Sequence, residues 1–312
     1  MTPAVAFLIF NRPDTTRRVF AAIRAARPPR LLVVADGPRA DRPGEAARCA
    51  ETRAIIDGVD WPCVVERNFA PENLGCRTRV ASGLDWVFSK VEEAIILEDD
   101  CLPHPDFFTF CAELLRRYRD DPQIMAVCGN NFHPHLPTAA SYHFSKYCWI
   151  WGWATWRRAW QHYDVAMSDW RRTRSLGWPE DSFLNRHERE YWSDCFDLVA
   201  HQGFSTWDYQ WIHTCWRHQG LCAIPARNLV SNIGFGADAT HTVHADERAA
   251  LPTVALGPIV HPPTVKRHTV ADRHDFEWVY GGRKRYRHVR LARWALRPWR
   301  AAKRRLKGWL VR

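Results

Sequence analysis

Strand and helix patterns alternate along residues 1–132. Short apolar runs predict strands, and the apolar residues spaced three to four apart between these runs predict helices. Asp14 or Thr15 is predicted to cap the first helix. This alternation is typical of an α/β fold in which helices flank a mostly parallel sheet. The predicted strands are 4–10, 31–35, 63–66, 94–97 and 124–128, and the predicted helices are 14–26, 46–56, 77–91 and 107–118.

The regular alternation stops after residue 132. Residues 133–245 are irregular and aromatic, and we expect them to form a second lobe of the same domain. Of 17 tryptophans, 11 lie between Trp149 and Trp216, where indoles serve either as core or as a flat platform for sugar rings. Residues 246–282 are rich in Pro, His and loop signals, and residues 283–312 form a basic tail with a helical apolar spacing.

Composition narrows the class of protein. An apolar share of 46 % and a charged share of 25 % are those of a folded globular protein. No apolar run approaches the roughly 20 residues of a transmembrane helix, and the run at 4–10 is too short for an export signal, so we expect a cytoplasmic protein. The 10 cysteines include no Cys-x-x-Cys pair, so a zinc site finds no support. A disulfide framework is not expected in a chain without an export signal, and most of the thiols are therefore expected to be buried apolar residues.

Charge is distributed unevenly along the chain. Residues 283–312 contain 13 Lys and Arg and no acid, whereas residues 1–282 have a net charge of −3. A polybasic tail on a nearly neutral body indicates an anionic partner, either a membrane surface or a nucleic acid. The slightly acidic body, which carries no recognised nucleic-acid-binding motif, argues against the nucleic acid.

Polar residues follow three of the predicted strands directly. Asn11 and Arg12 follow the first strand, Asp36 follows the second, and the acids 98–100 follow the fourth. Ligands of α/β folds bind at the carboxyl ends of the strands. Three consecutive acids there are either an exposed turn or a site for Mg²⁺ or Mn²⁺, which prefer oxygen ligands.

The same polar residues suit a nucleotide. Arg12 is expected to meet phosphate and Asp36 a base or a ribose hydroxyl. The turn that includes Gly75 and Arg77 opens a helix, where backbone N–H groups and a guanidinium can bind phosphate. The chain has neither G-x-G-x-x-G nor G-x-x-x-x-G-K-[ST], which excludes the dinucleotide-binding and P-loop motifs.

These motifs, in this order, resemble those of the GT-A nucleotide-sugar glycosyltransferases. The likeness is to bacterial transferases of the family 2 type and to the N-acetylglucosaminyltransferase I group. The motifs are FNRP at 10–13, ADG at 35–37, NLGC at 73–76, LEDD at 97–100 and PDFF at 105–108.

The resemblance implies a role for each acid. Asp100 would be the principal ligand of Mn²⁺ or Mg²⁺, and Glu98 and Asp99 would lie at the donor, with Asp99 near its ribose or sugar. Asp36 would contact the base of a UDP-sugar. The fold would be a Rossmann-like GT-A domain, with a nucleotide-sugar-binding half at 1–132 and an acceptor-binding, catalytic half at 133–245.

Two further segments resemble the family more loosely. TWDYQW at 206–211 is similar to the stretch that carries the catalytic base, which makes Asp208 the predicted base. Glu180, Asp181 and Asp194 are the alternatives. Residues 232–242 resemble a closing loop, in which His241 would approach the metal or the diphosphate.

The predicted function is therefore a metal-dependent, inverting transfer of a sugar from a nucleotide-sugar to a hydroxyl group. The acceptor would be a glycan or a polyprenyl-linked sugar in bacterial surface polysaccharide synthesis, and residues 283–312 would hold the protein on the inner face of the membrane. Two alternatives stay open. One is a nucleic-acid-binding protein that uses the tail, and the other is a sugar-binding relative without catalysis.

Overall fold

The computed structural model describes residues 2–133, 136, 139–179, 182–235 and 250–282. Its centre is an eight-stranded sheet in the order β3-β2-β1-β4-β8-β6-β9-β7, and β5 and β10 form a separate antiparallel pair. The strands are β1 (Val5–Ile9), β2 (Arg30–Ala35), β3 (Val64–Phe69), β4 (Glu93–Glu98), β5 (Cys101–Pro103), β6 (Ile124–Cys128), β7 (Tyr142–Ser145), β8 (Trp153–Trp156), β9 (Leu221–Pro225) and β10 (Val230–Asn232).

Nine α-helices surround this sheet in the part of the chain that the structure describes. A 3₁₀ turn, Ile55–Gly58, follows α2, and a π-helix, Asp275–Val279, follows α9. The helices are α1 (Pro13–Ala26), α2 (Glu45–Ala54), α3 (Gly75–Lys90), α4 (Pro105–Arg117), α5 (Arg157–Trp160), α6 (Trp170–Leu176), α7 (Arg186–His201), α8 (Asp208–Arg217) and α9 (Thr269–His274).

The strand directions confirm the predicted α/β class. β1 to β4, β6 and β9 all run in one direction, and only β8 and β7 are antiparallel to their neighbours. Alternate residues of β1 point to opposite faces. Phe7 belongs to the same core cluster as Val19 of α1 on one face, and Leu8 belongs to the same core cluster as Leu84 of α3 on the other. The sheet is thus buried by helices on both sides.

The start of α1 differs from the prediction. The helix begins at Pro13, its N-cap is Arg12, and no side chain caps it, so the prediction of a cap at Asp14 or Thr15 is wrong. Proline is suited to the first helical position because it has no N–H to satisfy and its φ is already helical. The boundary matters for the site, because it places Arg12 at the junction between β1 and α1.

The tryptophan-rich segment forms core. Trp153, Trp192 and Trp211 are fully buried, and Trp153 stacks on Trp207 with 5.8 Å between ring centroids. The prediction that most of these indoles serve packing is confirmed for them. β8, which begins at Trp153, lies between β4 and β6 in the middle of the sheet, so residues from both predicted halves build one sheet.

No helix among the described residues is long and apolar enough to cross a membrane. Residues 236–249 and 283–312 lie outside the described residues.

Candidate active site

A cleft of about 530 Å³ opens at the carboxyl ends of β1, β2 and β4. It forms there because the three strands run in parallel, with Ile9 opposite Ala35 and Leu8 opposite Glu98. Its lining comes from the strand ends and from residues 204–209, which lead into α8. The polar residues of the lining include Arg12, Asp36, Arg39, Asn73, Arg79, Glu98, Asp99, Asp100, Thr206, Asp208, Tyr209 and Asn232.

The three acids predicted to act together line this cleft together. Glu98 is the last residue of β4, and Asp99 and Asp100 form the turn into β5. The backbone N–H of Phe10 donates to Asp99 Oδ2 at 3.0 Å. Arg12 Nη1 donates to Asp100 Oδ2 at 2.7 Å and lies 3.9 Å from Asp99 Oδ1. One guanidinium therefore faces three carboxyl groups.

Burial and crowding disfavour the ionised acids. Burial, reinforced by Asp100, raises the pKa of Asp99 to about 7. Burial also raises the pKa of Glu98 well above its ordinary range, and the charges of Asp100, Asp99 and Asp208 add to the rise. Burial acts against the charge of Arg12, but Asp99 and Asp100 outweigh it and raise the pKa of this guanidinium. More negative charge converges here than Arg12 offsets.

The donor set fits a hard divalent cation. Oε1 of Glu98 is buried and has no hydrogen-bond partner among the described residues. Gly234 lies directly against Asp100, and a Cβ on Gly234 would lie 2.1 Å from Asp100 Oδ2. Carboxylate oxygens grouped at one strand end are the ligands that Mg²⁺ and Mn²⁺ prefer. Glycine at 234 is therefore what allows the Asp100 carboxylate to lie in this position.

Asp36 organises the loop that precedes α3. Its carboxylate accepts hydrogen bonds from the backbone N–H groups of Leu74 at 2.9 Å and Gly75 at 3.1 Å, and from Asn73 Nδ2 at 3.1 Å. The two loops lie so close that a Cβ on Gly37 would be 2.4 Å from the carbonyl carbon of residue 72. The backbone N–H groups that were expected to bind phosphate thus donate to Asp36 instead. The predicted contact of Asp36 with the base of the nucleotide stays a prediction.

Asn11 and Arg77 are the two predicted nucleotide contacts that do not line the cleft. Asn11 Nδ2 donates to Glu45 Oε1 at 2.8 Å, and Arg77 Nη2 donates to the carbonyl oxygen of Val165 at 2.7 Å. Both side chains tie neighbouring segments together in this structure. Gly75 does line the cleft, at the start of α3.

Two arginines that line the cleft were not predicted from the sequence. Arg39 lies 5.8 Å from the ring centroid of Phe10 and pairs with the buried Glu45. Arg79 is buried and donates to the carbonyl oxygen of Ala35 at 3.1 Å. Neither belongs to a strand-end motif, so no local sequence pattern identifies them as cleft residues. Only the folding of the β2–α2 loop and of α3 brings them to the cleft.

Asp208 is the first residue of α8, and it lines the same cleft as the end of β1. Thr206 Oγ1 donates to Asp208 Oδ1. Trp207, Tyr209 and the half-exposed Phe204 line the cleft beside it. Because the charge of Asp208 contributes to the raised pKa of Glu98, the predicted base and the acid triplet share one electrostatic environment.

The other predicted site residues lie elsewhere. His241, Glu180 and Asp181 fall outside the described residues, so their roles stay predictions. Asp194 is exposed on α7 and is not part of the cleft lining. Of the four acids considered as the base, Asp208 is the one that lines the cleft among those described.

No protein-family model and no curated protein matches the chain. Several solved structures are similar to it. A mannosyltransferase of Pyrobaculum calidifontis, in complex with GDP-Man and Mn²⁺, is 15 % identical over 69 % of this chain and 70 % of its own, with a TM-score of 0.38. A protein of Desulfovibrio desulfuricans G20 described as a nucleotide-diphospho-sugar transferase is 12 % identical over 72 % and 80 %, with a TM-score of 0.33.

A third similar structure is the 4-diphosphocytidyl-2C-methyl-D-erythritol synthase of Anaerococcus prevotii DSM 20548. It is 9 % identical over 62 % of this chain and 84 % of its own, with a TM-score of 0.32. Likenesses this distant transfer no function, so the function is argued from the residues of the cleft.

Proposed function

We propose that this protein is a metal-dependent, inverting glycosyltransferase that moves a sugar from a UDP-sugar to a hydroxyl group of a glycan or lipid-linked acceptor. The observation that carries the proposal is the convergence of Glu98, Asp99, Asp100 and Asp208 in one cleft at the carboxyl ends of parallel strands. Transfer from a nucleotide-sugar needs a cation at the diphosphate and a base at the acceptor, and this cleft offers residues for both.

The acid triplet is the proposed site for Mn²⁺ or Mg²⁺. Asp100 would be the principal ligand, with Glu98 and Asp99 beside it, and His241 would approach from the closing loop proposed for residues 232–242. The bound cation would act as a Lewis acid that stabilises the negative charge of the departing diphosphate. Arg12, already 2.7 Å from Asp100, would share that charge.

The donor would bind along the ends of β1 and β2. Asp36, with the loop that its hydrogen bonds hold at 73–75, would form the base site, and the ring of Phe10 beneath Arg39 would form a second wall. In the chain as a whole, residues 1–132 would then bind the donor and residues 133–245 would supply the acceptor side. Asp208 lines the same cleft as the ends of β1 and β4, which supports this proposed division.

Asp208 is the proposed general base. The acceptor oxygen would attack the anomeric carbon as its proton passes to the Asp208 carboxylate, and a new glycosidic bond would form. The bond between the anomeric carbon and the diphosphate oxygen would break, and the diphosphate would leave with the electron pair. Attack from the face opposite the leaving group inverts the anomeric configuration. The donated hydrogen bond from Thr206 would orient the carboxylate for this transfer.

The acceptor and the place of action are proposed from the tail. Thirteen basic residues without an acid at 283–312 suit an anionic lipid surface. A polyprenyl-linked acceptor for surface polysaccharide would be found at the inner face of the membrane, where such a tail would hold the enzyme. The same tail could instead bind nucleic acid, and a chain that binds sugar without transfer is the third possibility.

Calorimetric titration of UDP and GDP, with Mn²⁺ or with EDTA, tests the donor and the metal together. We expect UDP to bind well only with Mn²⁺. Asp100→Asn should bind UDP weakly with or without Mn²⁺. The variant should stay folded, because removing one of the crowded acid charges relieves repulsion. The control is Asp14→Asn, which changes an acid exposed on α1. Equal nucleotide affinity in EDTA and in Mn²⁺ would exclude the metal site, and nucleotide binding without turnover of any UDP-sugar would favour the non-catalytic alternative.

A further inference from the structure

Four cysteines that are scattered in the sequence lie together in one core cluster of the protein. Cys128 ends β6, Cys148 follows β7, Cys222 lies in β9 and Cys215 lies in α8. All four are buried, with at most 2 % of any of them exposed, and all lie in the same face of the core. They belong to neither the cleft nor the acid triplet.

Three of the sulfur atoms lie at distances that suit a common metal ion. The Sγ atoms of Cys128, Cys148 and Cys222 all lie within 4.8 Å of one another, and Cys128 and Cys148 are 3.9 Å apart. Tetrahedral zinc–thiolate bonds of about 2.3 Å place neighbouring sulfurs about 3.8 Å apart. The largest of the three separations therefore has to shorten by no more than about 1 Å.

Two further observations support a ligand set. The backbone N–H of Trp149 donates to Cys128 Sγ at 3.3 Å, which is the kind of outer hydrogen bond that orients a metal-bound thiolate. Cys215 of α8 is fully buried in the same core cluster as these three thiols, and it is therefore the thiol offered as a fourth ligand. No carboxylate or imidazole joins this group in the described part of the chain, so the donors are soft sulfur atoms only.

We propose that Cys128, Cys148 and Cys222, with Cys215 as the fourth ligand, bind one thiophilic cation of the Zn²⁺ or Cu⁺ class. Sulfur-only donors select such ions over the hard cations proposed for the cleft. The site would be structural, because it is closed to solvent and its ligands come from two adjacent strands, a loop and a helix. It would join α8, whose first residue is Asp208, to β6 and β9.

The metal content of the purified full-length chain tests this inference. We expect about one zinc or copper ion per chain by elemental mass spectrometry, the number that a single four-sulfur site holds. After the ion is removed under reducing conditions, Co²⁺ should restore the near-ultraviolet thiolate-to-cobalt charge-transfer band and the visible bands of a tetrahedral site. Cys128→Ser and Cys222→Ser should lose the ion and this spectrum, whereas Cys111→Ser, at a buried thiol on α4, should keep both.

Several outcomes would overturn the proposal. One is a reduced chain that takes up neither Zn²⁺, Cu⁺ nor Co²⁺, and another is a Cys128→Ser chain that binds as much ion as the unaltered one. A disulfide between Cys128 and Cys148 in the freshly purified chain, found by peptide mass analysis, would also overturn it.

Asp100→Asn should leave the cobalt spectrum unchanged, so a failure of the cleft proposal and a failure of this one are distinguishable. Circular dichroism of each variant separates loss of the ion from loss of the fold.

Discussion

The guanidinium of Arg12 lies 2.7 Å from the carboxylate of Asp100, although 88 residues separate them in the chain. Arg12 stands at the junction of β1 and α1, and Asp100 stands in the turn after β4. Because β1 and β4 are parallel neighbours, their carboxyl ends bring the two side chains together. The pair places one positive charge where three acids meet.

Replacing Arg12 should therefore make stability depend on added cation. Arg12→Gln leaves the acids without their positive neighbour. Losing one partner of a fully buried pair costs about 3 kcal/mol or more, and the cost should be smaller here because each side chain is 15 % exposed. We expect a lower Tm than the unaltered chain in EDTA and a larger gain in Tm when Mn²⁺ is added, both measured by scanning calorimetry. Arg17→Gln, at a half-exposed pair with Glu51, is the matched control. An unchanged Tm of Arg12→Gln in EDTA would show that the pair does not offset the acids.

Gly234 should be intolerant of a side chain. A Cβ there would lie 2.1 Å from Asp100 Oδ2, so the carboxylate or the loop must move. Because displaced ligands or their supports lower metal affinity by about 10- to 100-fold, we expect Gly234→Ala to weaken Mn²⁺ binding by at least about tenfold. Calorimetric or paramagnetic titration of Mn²⁺ measures this.

The control for this change is Gly58→Ala, because its added Cβ would meet only Phe20 at 3.5 Å, an ordinary contact. If Gly234→Ala binds Mn²⁺ as the unaltered chain does, the cation does not use the space beside Asp100.

Asp208→Asn should separate catalysis from donor binding. The amide keeps the shape of the side chain but removes its basicity, and a positioned general base contributes about 10²- to 10⁴-fold to the rate. We expect kcat to fall by that factor while the affinity for UDP and Mn²⁺ stays nearly unchanged. Asp194→Asn, at an exposed acid of α7, should retain full activity. An Asp208→Asn enzyme that keeps more than about a tenth of kcat would move the role of base to another residue.

The tail should control membrane association and not chemistry. Each Lys or Arg close to an anionic surface contributes about 1 kcal/mol, so 13 of them can hold the chain there. Deleting residues 283–312 should release the protein from phosphatidylglycerol-containing vesicles in a sedimentation assay while transfer to a soluble acceptor continues. A truncated chain that still sediments, or a full-length chain that never does at about 0.15 M salt, contradicts the membrane proposal.

Acid should destabilise the fold through His213. Burial among Trp170, Trp178 and Phe196 lowers its pKa to about 4, from an ordinary value of 6.5. Between these values the unfolded chain binds a proton that the folded chain does not, so the free energy of unfolding decreases as pH falls from 6.5 to 4. The slope from this group is at most about 1.4 kcal/mol per pH unit.

Urea unfolding at several pH values measures this slope. His213→Gln should make the slope shallower between pH 6.5 and 4, with the exposed His201→Gln as the control. A His213→Gln chain with the slope of the unaltered chain would show that this histidine does not contribute.

Local apolar patterning determined the α/β class and most elements of residues 1–132. The predicted strand at 124–128 coincides with β6, and the predicted helix at 77–91 differs from α3 by two residues at its start and one at its end. The acids 98–100 could also be predicted at a sheet edge, because the end of a buried strand is visible from its own residues. Such features depend on neighbours in sequence, which is why periodicity detects them.

Only the tertiary structure decided which residues meet. The insertion of β8 between β4 and β6, the hydrogen bonds of Asp36 to the loop before α3, and the approach of Gly234 to Asp100 all join segments far apart in the chain. The cysteines show the same limit, because no Cys-x-x-Cys pair marks three sulfurs that strand pairing brings within 4.8 Å. Contacts of this kind are set by sheet order and helix packing, which a local pattern does not specify.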